Sequence, residues 1–239
     1  MLKKITALFV LSLFCFAAWA AKPKTNYVRI RTDYGVCILK LYNETPLHRD
    51  NFIKLVKDNF YDGLLFHRVI EDFMIQGGDP NSKNAAKGTV LGDGDLGYTV
   101  EAEFRDSLFH KKGTLSAARD NNPEKASSAS QFFIVQGKTF TDDELDRLET
   151  MRLEGRKIPS YQREVYKTIG GVPYLDQNYT VFGEVVEGIE IIDEIAGIPT
   201  DAYDRPLVDL KMEVDLLKRG EVRRLEKKLR EQENEGSYL

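Results

Sequence analysis

The chain has 239 residues, of which 42% are hydrophobic and 30% charged, and its formal net charge is −4. This composition is typical of a soluble globular protein and excludes general disorder, a collagen-like repeat and a polytopic membrane protein. The near balance of acidic and basic residues gives no bulk attraction to nucleic acid or to an anionic membrane, and the sequence contains no compensating basic patch.

Residues 1–20 have the pattern of a secretory signal peptide. Two lysines precede an apolar run at 5–18, and residues 18–20, Ala-Trp-Ala, form a small-x-small cleavage motif. The apolar run is shorter than the ~20 residues that a membrane-spanning helix needs, so a membrane anchor is the weaker alternative. We therefore predict export, with cleavage before Ala21 and no stable membrane insertion.

Cysteine and histidine are both scarce. Cys37 is the only cysteine after the predicted signal, so an intrachain disulfide is excluded and we expect an inert buried thiol. His48, His67 and His110 share no helical i, i+4 spacing. The sequence therefore predicts neither a zinc site nor another metal, and we expect no cofactor.

The first predicted elements are a hairpin and a helix. Apolar and polar residues alternate from Asn26 to Tyr42 around an Asp-Tyr-Gly turn, which predicts two antiparallel strands. Thr45 and Pro46 then provide a cap and a first helical position, and Asp62-Gly63 is a stop signal.

Short apolar runs separated by glycine and polar turns occupy most of the remaining chain. They lie at Leu64–Ile70, Phe73–Gln76, Tyr98–Phe104, Gly113–Ala118, Gln131–Val135, Val181–Val186 and Leu207–Leu217. Isoleucines at helical spacing after Gly188 predict a second helix between the last two runs. This density of short strands predicts a closed or nearly closed antiparallel β structure.

Two further segments have helical patterns. Residues 139–173 contain a Thr141 capping box and two glycine stops, which predict a helical insert between strands. The tail at 218–239 is highly charged with a thin apolar stripe. We expect a solvated or fraying terminal helix there, with a coiled-coil or docking helix as the alternative.

The run from Gly92 to Gly97 has the glycine spacing of a dinucleotide-binding loop. Phosphate binding requires such a loop to open a helix, whereas this one leads into a strand-like segment. A calcium loop would need a glutamate at the position of Phe104. We therefore interpret the run as a tight surface loop.

The most informative segments are 66–79 and 130–134. Their arginine, glutamines, methionine and phenylalanines, placed on strands, could line an apolar hollow with a few convergent donors. The alternative is that the aromatic residues belong to the core and Arg68 is a surface charge. Residue patterning alone leaves both interpretations open.

Four motifs, FHRVIEDFMIQGGD, GTLSAAR, SQFFIV and YLDQNYTVFGEVVEG, closely resemble those of the cyclophilin family of peptidyl-prolyl cis-trans isomerases, in the same order. The resemblance covers about residues 26–217 apart from 139–173. It implies a mainly β domain at 21–217: a closed eight-stranded antiparallel β-barrel capped by two α-helices that begin near Pro46 and Gly188.

The resemblance also implies the site residues. The catalytic pair would be Arg68 and Gln76, and the substrate-binding residues would be Phe73, Met74, Ala118, Arg119, Gln131, Phe133, Tyr174, Leu175 and Tyr179. Three of these depart from the common family pattern: Arg119 replaces asparagine, Tyr174 replaces tryptophan and Tyr179 replaces histidine. The resemblance implies cyclosporin binding, which we expect Tyr174 to weaken.

The implied activity is rotation about X-Pro bonds of proline-containing peptides and unfolded exported proteins, assisting their folding without a cofactor. A chaperone that binds proline segments, or a scaffold with little catalysis, is the alternative. The insert at 139–173 resembles that of some exported bacterial members, so we favour the periplasm over secretion or an endomembrane lumen. We expect the insert to affect the choice of client and not the chemistry.

Overall fold

A computed structural model describes residues 25–236, so the predicted signal peptide lies outside the described residues. The strands are β1 (Asn26–Thr32), β2 (Gly35–Leu41), β3 (Phe66–Ile70), β4 (Met74–Gly77), β5 (Thr99–Val100), β6 (Thr114–Ala117), β7 (Ser127–Ser128), β8 (Phe132–Val135), β9 (Val181–Glu187) and β10 (Glu213–Leu216). The helices are α1 (Pro46–Lys57), α2 (Asp142–Met151), α3 (Ser160–Thr168), α4 (Ile189–Ala196) and α5 (Arg219–Gly236).

Eight strands form one antiparallel sheet in the order β10-β1-β2-β9-β6-β8-β4-β3, and β5 and β7 pair separately. The predicted hairpin is confirmed, with Thr32 opposite Gly35 and Val28 opposite Leu39. Alternation places Val28 and Ile30 in the interior, where each is at most 1% exposed. The large central cluster of apolar side chains is covered by α1, which packs on β9 and β10, and by α4, which packs on β2, β3 and β4.

The predicted closed barrel is wrong at one seam. The outer strands β3 and β10 do not pair with each other, so the sheet is an open half-barrel. The segments before the two strands do meet, through a bridge between Leu65 and Lys211 and a hydrogen bond from the Met212 N–H to the Leu64 carbonyl. The ladder stops there because the next β10 donor, the Val214 N–H, bonds to the Asp62 carboxylate at 3.0 Å.

The start of α1 is capped by a residue from another part of the chain. Thr45 makes no side-chain cap hydrogen bond. Instead, the buried Glu103 carboxylate accepts the N–H groups of Leu47 and His48 at 3.2 and 3.0 Å. The predicted strand over Tyr98–Phe104 is accordingly wrong beyond β5, because Glu103 turns away from the sheet to satisfy the helix end.

The insert is a folded lobe with a small core of its own. The predicted capping box is confirmed: the Glu144 N–H donates to the Thr141 hydroxyl, and the Thr141 N–H donates to the Glu144 carboxylate. Leu145 and Tyr166 are each 0% exposed and belong to this core. The two ends of the lobe lie side by side, because Gly171 forms one bridge with Lys138 and a second with Lys111.

The charged tail forms a helix attached to the barrel. Leu225 of α5 is only 5% exposed. Ion pairs join Glu221 to Arg29 of β1 at 2.9 Å and Lys228 to Glu187 of β9 at 2.6 Å. The expectation of a solvated helix is therefore wrong for this face of α5, and the docking alternative describes it.

The expectation for Cys37 has a structural outcome. Cys37 is buried and free, and its burial raises the pKa of the thiol to about 12, which keeps it protonated. Within residues 25–236, no helix combines the length and apolar character that crossing a membrane requires.

The docking of α5 can be tested at Leu225, which is 5% exposed. Replacing it with alanine is expected to lower the free energy of unfolding by about 2 kcal/mol, the low end for a buried leucine, because one helix face is involved. Urea denaturation would measure the loss. The matched change Leu229→Ala, at a half-buried position of the same helix, is expected to cost less. Equal losses would contradict the docked arrangement.

Candidate functional site

A pocket of about 290 Å³ opens where β3, β4 and β8 face the loops after β6 and before β9. This volume is at the small end of ligand pockets, which run from roughly 300 to 1,000 Å³. Its walls contain nine of the predicted site residues: Arg68, Phe73, Met74, Gln76, Ala118, Arg119, Phe133, Leu175 and Tyr179. The structure therefore assembles most of the predicted set around one concave surface.

Arg68 lies on β3 directly opposite Gln76 of β4. Its Nη1 donates to the Gln76 Oε1 at 3.4 Å, and its Nε lies 3.4 Å from the Asp204 carboxylate. The guanidinium carbon is 6.0 Å from the centre of the Phe73 ring. Three neighbours thus restrict a side chain that is still 39% exposed at the pocket mouth. Asp204, from a turn distant in the chain, was not predicted as a site residue.

A directional series of hydrogen bonds runs from Arg68 into the protein. The Gln76 amide nitrogen donates to the Gln131 Oε1 at 3.1 Å. The Gln131 amide nitrogen donates in turn to the carbonyls of Gly92 and Gly94, at 2.7 and 2.8 Å. This order fixes both amide orientations, so that Gln76 presents its oxygen to the guanidinium. Gln131 does not line the small pocket but lines a neighbouring cavity of about 720 Å³, together with Gln76, Ala118 and Arg119.

The apolar floor of the pocket is Phe133, on β8, which is 4% exposed. The Tyr179 ring meets it edge-on at 5.8 Å, and the His110 ring stacks on it at 6.0 Å with a 13° interplanar angle. Met74, 1% exposed, belongs to the same apolar cluster. The floor is held on several sides, so its ring has little freedom to move.

His110 connects this floor to the insert. The Asp176 carboxylate accepts the His110 N–H and contacts the His110 Nδ1, each at 2.8 Å. Its other oxygen accepts the Tyr166 hydroxyl of α3 at 2.6 Å. All three side chains are buried, and burial together with Asp176 raises the pKa of Tyr166 far above its ordinary value. Tyr166 of the insert thus donates a buried hydrogen bond to Asp176, the residue that holds His110 beneath the pocket floor. The sequence did not indicate this connection.

Arg119 is fixed at the rim. Its Nε donates to the Asn178 carbonyl at 2.8 Å, and its guanidinium lies 4.8 Å from the centre of the Tyr179 ring. The two departures at Arg119 and Tyr179 therefore occur together and contact each other. Arginine stacked on an aromatic face is a stable arrangement, so this wall of the pocket is cationic and aromatic.

The loop from Gly92 to Gly97 was missed as part of the site. It opens no helix, which agrees with its interpretation as a loop, but Gly92 and Asp93 line the pocket and also a neighbouring cavity of about 720 Å³. The buried Asp79 holds the loop by accepting the Gly92 N–H. A Cβ at Gly94 would lie 2.0 Å from the Asp79 Oδ1, so this close approach requires glycine.

Tyr174 does not line the small pocket. Its ring stacks against Phe73 at 6.1 Å, and it faces a separate groove of about 540 Å³ formed with the insert. The aromatic pair is therefore a partition, with the pocket on the Phe73 side and the insert groove on the Tyr174 side. The sequence predicted Tyr174 as a groove residue but not this second groove.

His67 lies next to Arg68 in the chain but is buried on the other face of β3, at 2% exposure. Neither ring nitrogen has a hydrogen-bond partner among the described residues. Burial lowers the pKa of His67 to about 4, against the opposing attraction of Asp79. The imidazole is therefore neutral at physiological pH and adds no charge behind the guanidinium.

The arrangement offers a fixed cationic donor beside a small apolar hollow. Over residues 25–236 there is no cluster of three or more histidine, cysteine, aspartate or glutamate side chains suited to a metal ion. Such a site can hold a compact apolar ring and place a hydrogen-bond donor against it. The pocket walls contain no serine, threonine or cysteine that could act as a nucleophile.

Comparisons with known proteins agree on one family. The family model "Cyclophilin type peptidyl-prolyl cis-trans isomerase/CLD" matches residues 27–214. A "Putative peptidyl-prolyl cis-trans isomerase" of Staphylococcus epidermidis is 37% identical over 187 residues, covering 78% of this chain and 88% of that protein. A "Putative bifunctional phosphatase/peptidyl-prolyl cis-trans isomerase" of Streptococcus pyogenes is 38% identical over 190 residues. The match spans 78% of this chain but only 37% of the streptococcal protein.

Solved structures show the same fold. A cyclophilin-type peptidyl-prolyl cis-trans isomerase of Cryptosporidium parvum superposes with a TM-score of 0.59 at 23% identity, covering 82% of this chain and 99% of that one. A second structure of that protein, in the presence of the dipeptide Ala-Pro, superposes with a TM-score of 0.57 at 23% identity and covers 80% and 99%.

The burial of His67 predicts a pH dependence of stability. Its pKa is about 4 in the folded chain and 6.5 when unfolded, so between these values the unfolded chain binds more protons. The neutral His67 therefore does not lower the free energy of unfolding above about pH 6.5. As the pH falls from 6.5 to about 4, preferential protonation of the unfolded chain lowers the free energy of unfolding by about 3 kcal/mol. The change His67→Leu should abolish that part of the loss. Parallel stability curves of the two proteins between pH 4 and 6.5 would contradict the assignment.

Proposed function

The chain belongs to the cyclophilin family of peptidyl-prolyl cis-trans isomerases, and we propose that it isomerises X-Pro bonds with Arg68 as the catalytic donor and Phe133 as the floor of the proline site. The observation that carries this proposal is the geometry of Arg68. Its guanidinium is held by Gln76, Asp204 and Phe73 at the mouth of a pocket whose floor is an aromatic ring.

The reaction requires a group that binds the twisted amide better than the planar one. An X-Pro bond rotates slowly because its C–N bond has partial double-bond character, with a barrier of roughly 18–20 kcal/mol. At the twisted transition state resonance is lost and the prolyl nitrogen becomes a hydrogen-bond acceptor. A donor aimed at that nitrogen lowers the barrier because both planar ground states lack the acceptor.

Arginine suits this task because it stays protonated across physiological pH and has a planar fork of donors. In this protein Gln76 and Asp204 contact the Nη1 and Nε of the guanidinium, and the side chain is 39% exposed at the pocket mouth. One charge-assisted hydrogen bond contributes about 1.5–3 kcal/mol net, or about 10- to 150-fold in rate. Larger accelerations need the pocket to hold the ring as well.

The pocket fits a prolyl ring by size and polarity. Its volume of about 290 Å³ and its Phe73, Met74 and Phe133 walls suit one compact apolar residue. A related structure was solved in the presence of Ala-Pro, which supports proline-containing peptides as the ligands of this chain. Within the pocket, the ring would be fixed while the preceding carbonyl rotates. The reaction uses no metal or cofactor in this mechanism.

A chaperone that only binds proline segments would need the pocket but not a fixed donor. The hydrogen bonds from Gln76 through Gln131 to the Gly92 loop orient Arg68, an orientation that binding of an apolar ring alone does not require. We therefore favour catalysis over binding alone. Cyclosporin binding weakened by Tyr174 stays a prediction, since Tyr174 faces the insert groove.

We also propose that the clients are exported proteins and that the protein assists their folding in the periplasm. The support is the signal-like pattern of residues 1–20, with its lysines, apolar run and Ala-Trp-Ala motif. Fractionation of the host cell, with antibody detection and N-terminal sequencing of the processed chain, would test this. Recovery in the cytoplasm with residue 1 retained would contradict it.

Replacing Arg68 with alanine or lysine should remove most isomerase turnover and leave folding and peptide affinity nearly unchanged, because only the transition state uses the donor fully. An NMR exchange assay on a proline tetrapeptide would measure turnover, and titration of the same peptide would measure affinity. The control is Arg223→Ala, at an exposed position of α5. A variant that keeps more than half of kcat/KM, a loss under ~0.5 kcal/mol, would refute the role of Arg68.

The change Phe133→Ala should weaken both peptide affinity and turnover, because it removes the floor that contacts the ring. Since the side chain is 4% exposed, it should also cost about 3–5 kcal/mol of stability. Thermal unfolding and peptide titration of the same preparation would separate the two effects. A folded variant with unchanged peptide affinity would assign Phe133 to the core alone.

A further inference from the structure

The insert forms a groove of about 540 Å³ beside the proline pocket. One face of α2 lines it with side chains at helical spacing, including Arg147, Leu148 and Met151. Met151 is 80% exposed, so its side chain is available at the groove wall. On the adjoining side of α2, Leu145 is buried in the lobe and Leu148 packs against the same core. Arg147 and Met151 are therefore the exposed part of this groove wall.

The groove carries positive charge that the protein itself does not neutralise. Arg147 donates from its Nε to the Asp143 carbonyl, and Arg152 lies over the Tyr174 ring at 4.5 Å. Neither arginine has an ion pair with a carboxylate in the part of the chain that the structure describes. Of the two acidic residues in the walls, Glu144 is paired with Lys138 at 3.4 Å, which leaves Asp72 on the β3–β4 turn against the two arginines and keeps the charge of the walls positive.

The groove adjoins the proline pocket across the Phe73–Tyr174 ring pair. Phe73 lines the pocket and Tyr174 lines the groove, and their rings stack with centroids 6.1 Å apart. An extended chain advances about 3.3 Å per residue. A peptide whose proline occupies the pocket therefore reaches the groove within about two to four residues.

We propose that this groove binds the same client polypeptide beyond its proline, and that it selects a segment with an apolar side chain next to an aspartate or glutamate. This inference rests on the proposed function, since it assumes that the proline occupies the small pocket. The apolar side chain contacts Leu148 and Met151, and the carboxylate pairs with Arg147 or Arg152. The insert then determines which prolines in a client are held longest at Arg68.

The test compares the affinities of three peptides by fluorescence anisotropy. The first is a tetrapeptide with a central Ala-Pro. The second extends it on both sides with a leucine and an aspartate placed two to four residues from the proline, and the third replaces the aspartates with lysines. We expect the second peptide to bind at least tenfold more tightly than the first and at least fivefold more tightly than the third.

Charge reversal makes the test specific. The variant Arg147→Glu should invert the preference between the acidic and the basic peptide, and Met151→Asp should remove the gain from leucine. The matched control Arg224→Glu, on the exposed surface of α5, should change neither. Equal affinities for all three peptides, or an Arg147→Glu variant that keeps the acidic preference, would overturn the proposal.

Two further measurements separate the alternatives. A concentration-dependent dimer in sedimentation that Arg147→Glu dissociates would show that a second copy of the chain occupies the groove, which would also overturn the proposal. Turnover of the tetrapeptide by the unmodified protein tests the proposed function separately. Absent turnover with the charge-dependent affinities intact would refute catalysis and leave the groove assignment standing.

Discussion

The pairing of three antiparallel strands determines the site. Arg68 of β3 lies opposite Gln76 of β4, and Gln76 lies opposite Phe133 of β8. Residues directly opposite across neighbouring strands share a face and lie about 5 Å apart. The donor, its orienting amide and the apolar floor therefore form one row across the sheet. A slip of one residue in either pairing would turn part of the row into the barrel interior.

The remaining contacts hold that row in a single conformation. Gln131 and the Gly92 loop fix the Gln76 amide from one side. His110, held by Asp176, stacks on the Phe133 ring, and the Tyr166 hydroxyl donates a hydrogen bond to that same Asp176 carboxylate. When the side chains that contact a substrate are already held by hydrogen bonds or packing, little conformational entropy is lost as the substrate binds. The insert takes part in this support through a buried tyrosine while its outer face remains free.

Local patterns predicted the elements well, and contacts between distant segments account for what they missed. Strand alternation located the β1–β2 hairpin, and the motif resemblance located Arg68 and Phe133, because both are carried by contiguous residues. The cap of α1 by Glu103 and the contact of Asp204 with Arg68 depend on residues more than fifty positions apart. The open seam between β3 and β10 has the same origin, since Asp62 competes for a strand donor. Hydrogen bonds between residues so far apart in the chain cannot be predicted from local sequence patterns.

Because the two ends of the insert meet at Lys138 and Gly171, the fold can accommodate inserts of different lengths at this point. A segment whose ends are already adjacent can grow or shrink at a cost that rises only with the logarithm of its length, about 0.6 kcal/mol per doubling. The strands on either side keep their register because the junction is closed by backbone hydrogen bonds, from the Gly171 N–H to the Lys138 carbonyl at 3.0 Å. A change in the length of the lobe can therefore leave the neighbouring strands in register, provided that the altered lobe still supplies the hydrogen bond that Tyr166 donates to the Asp176 carboxylate.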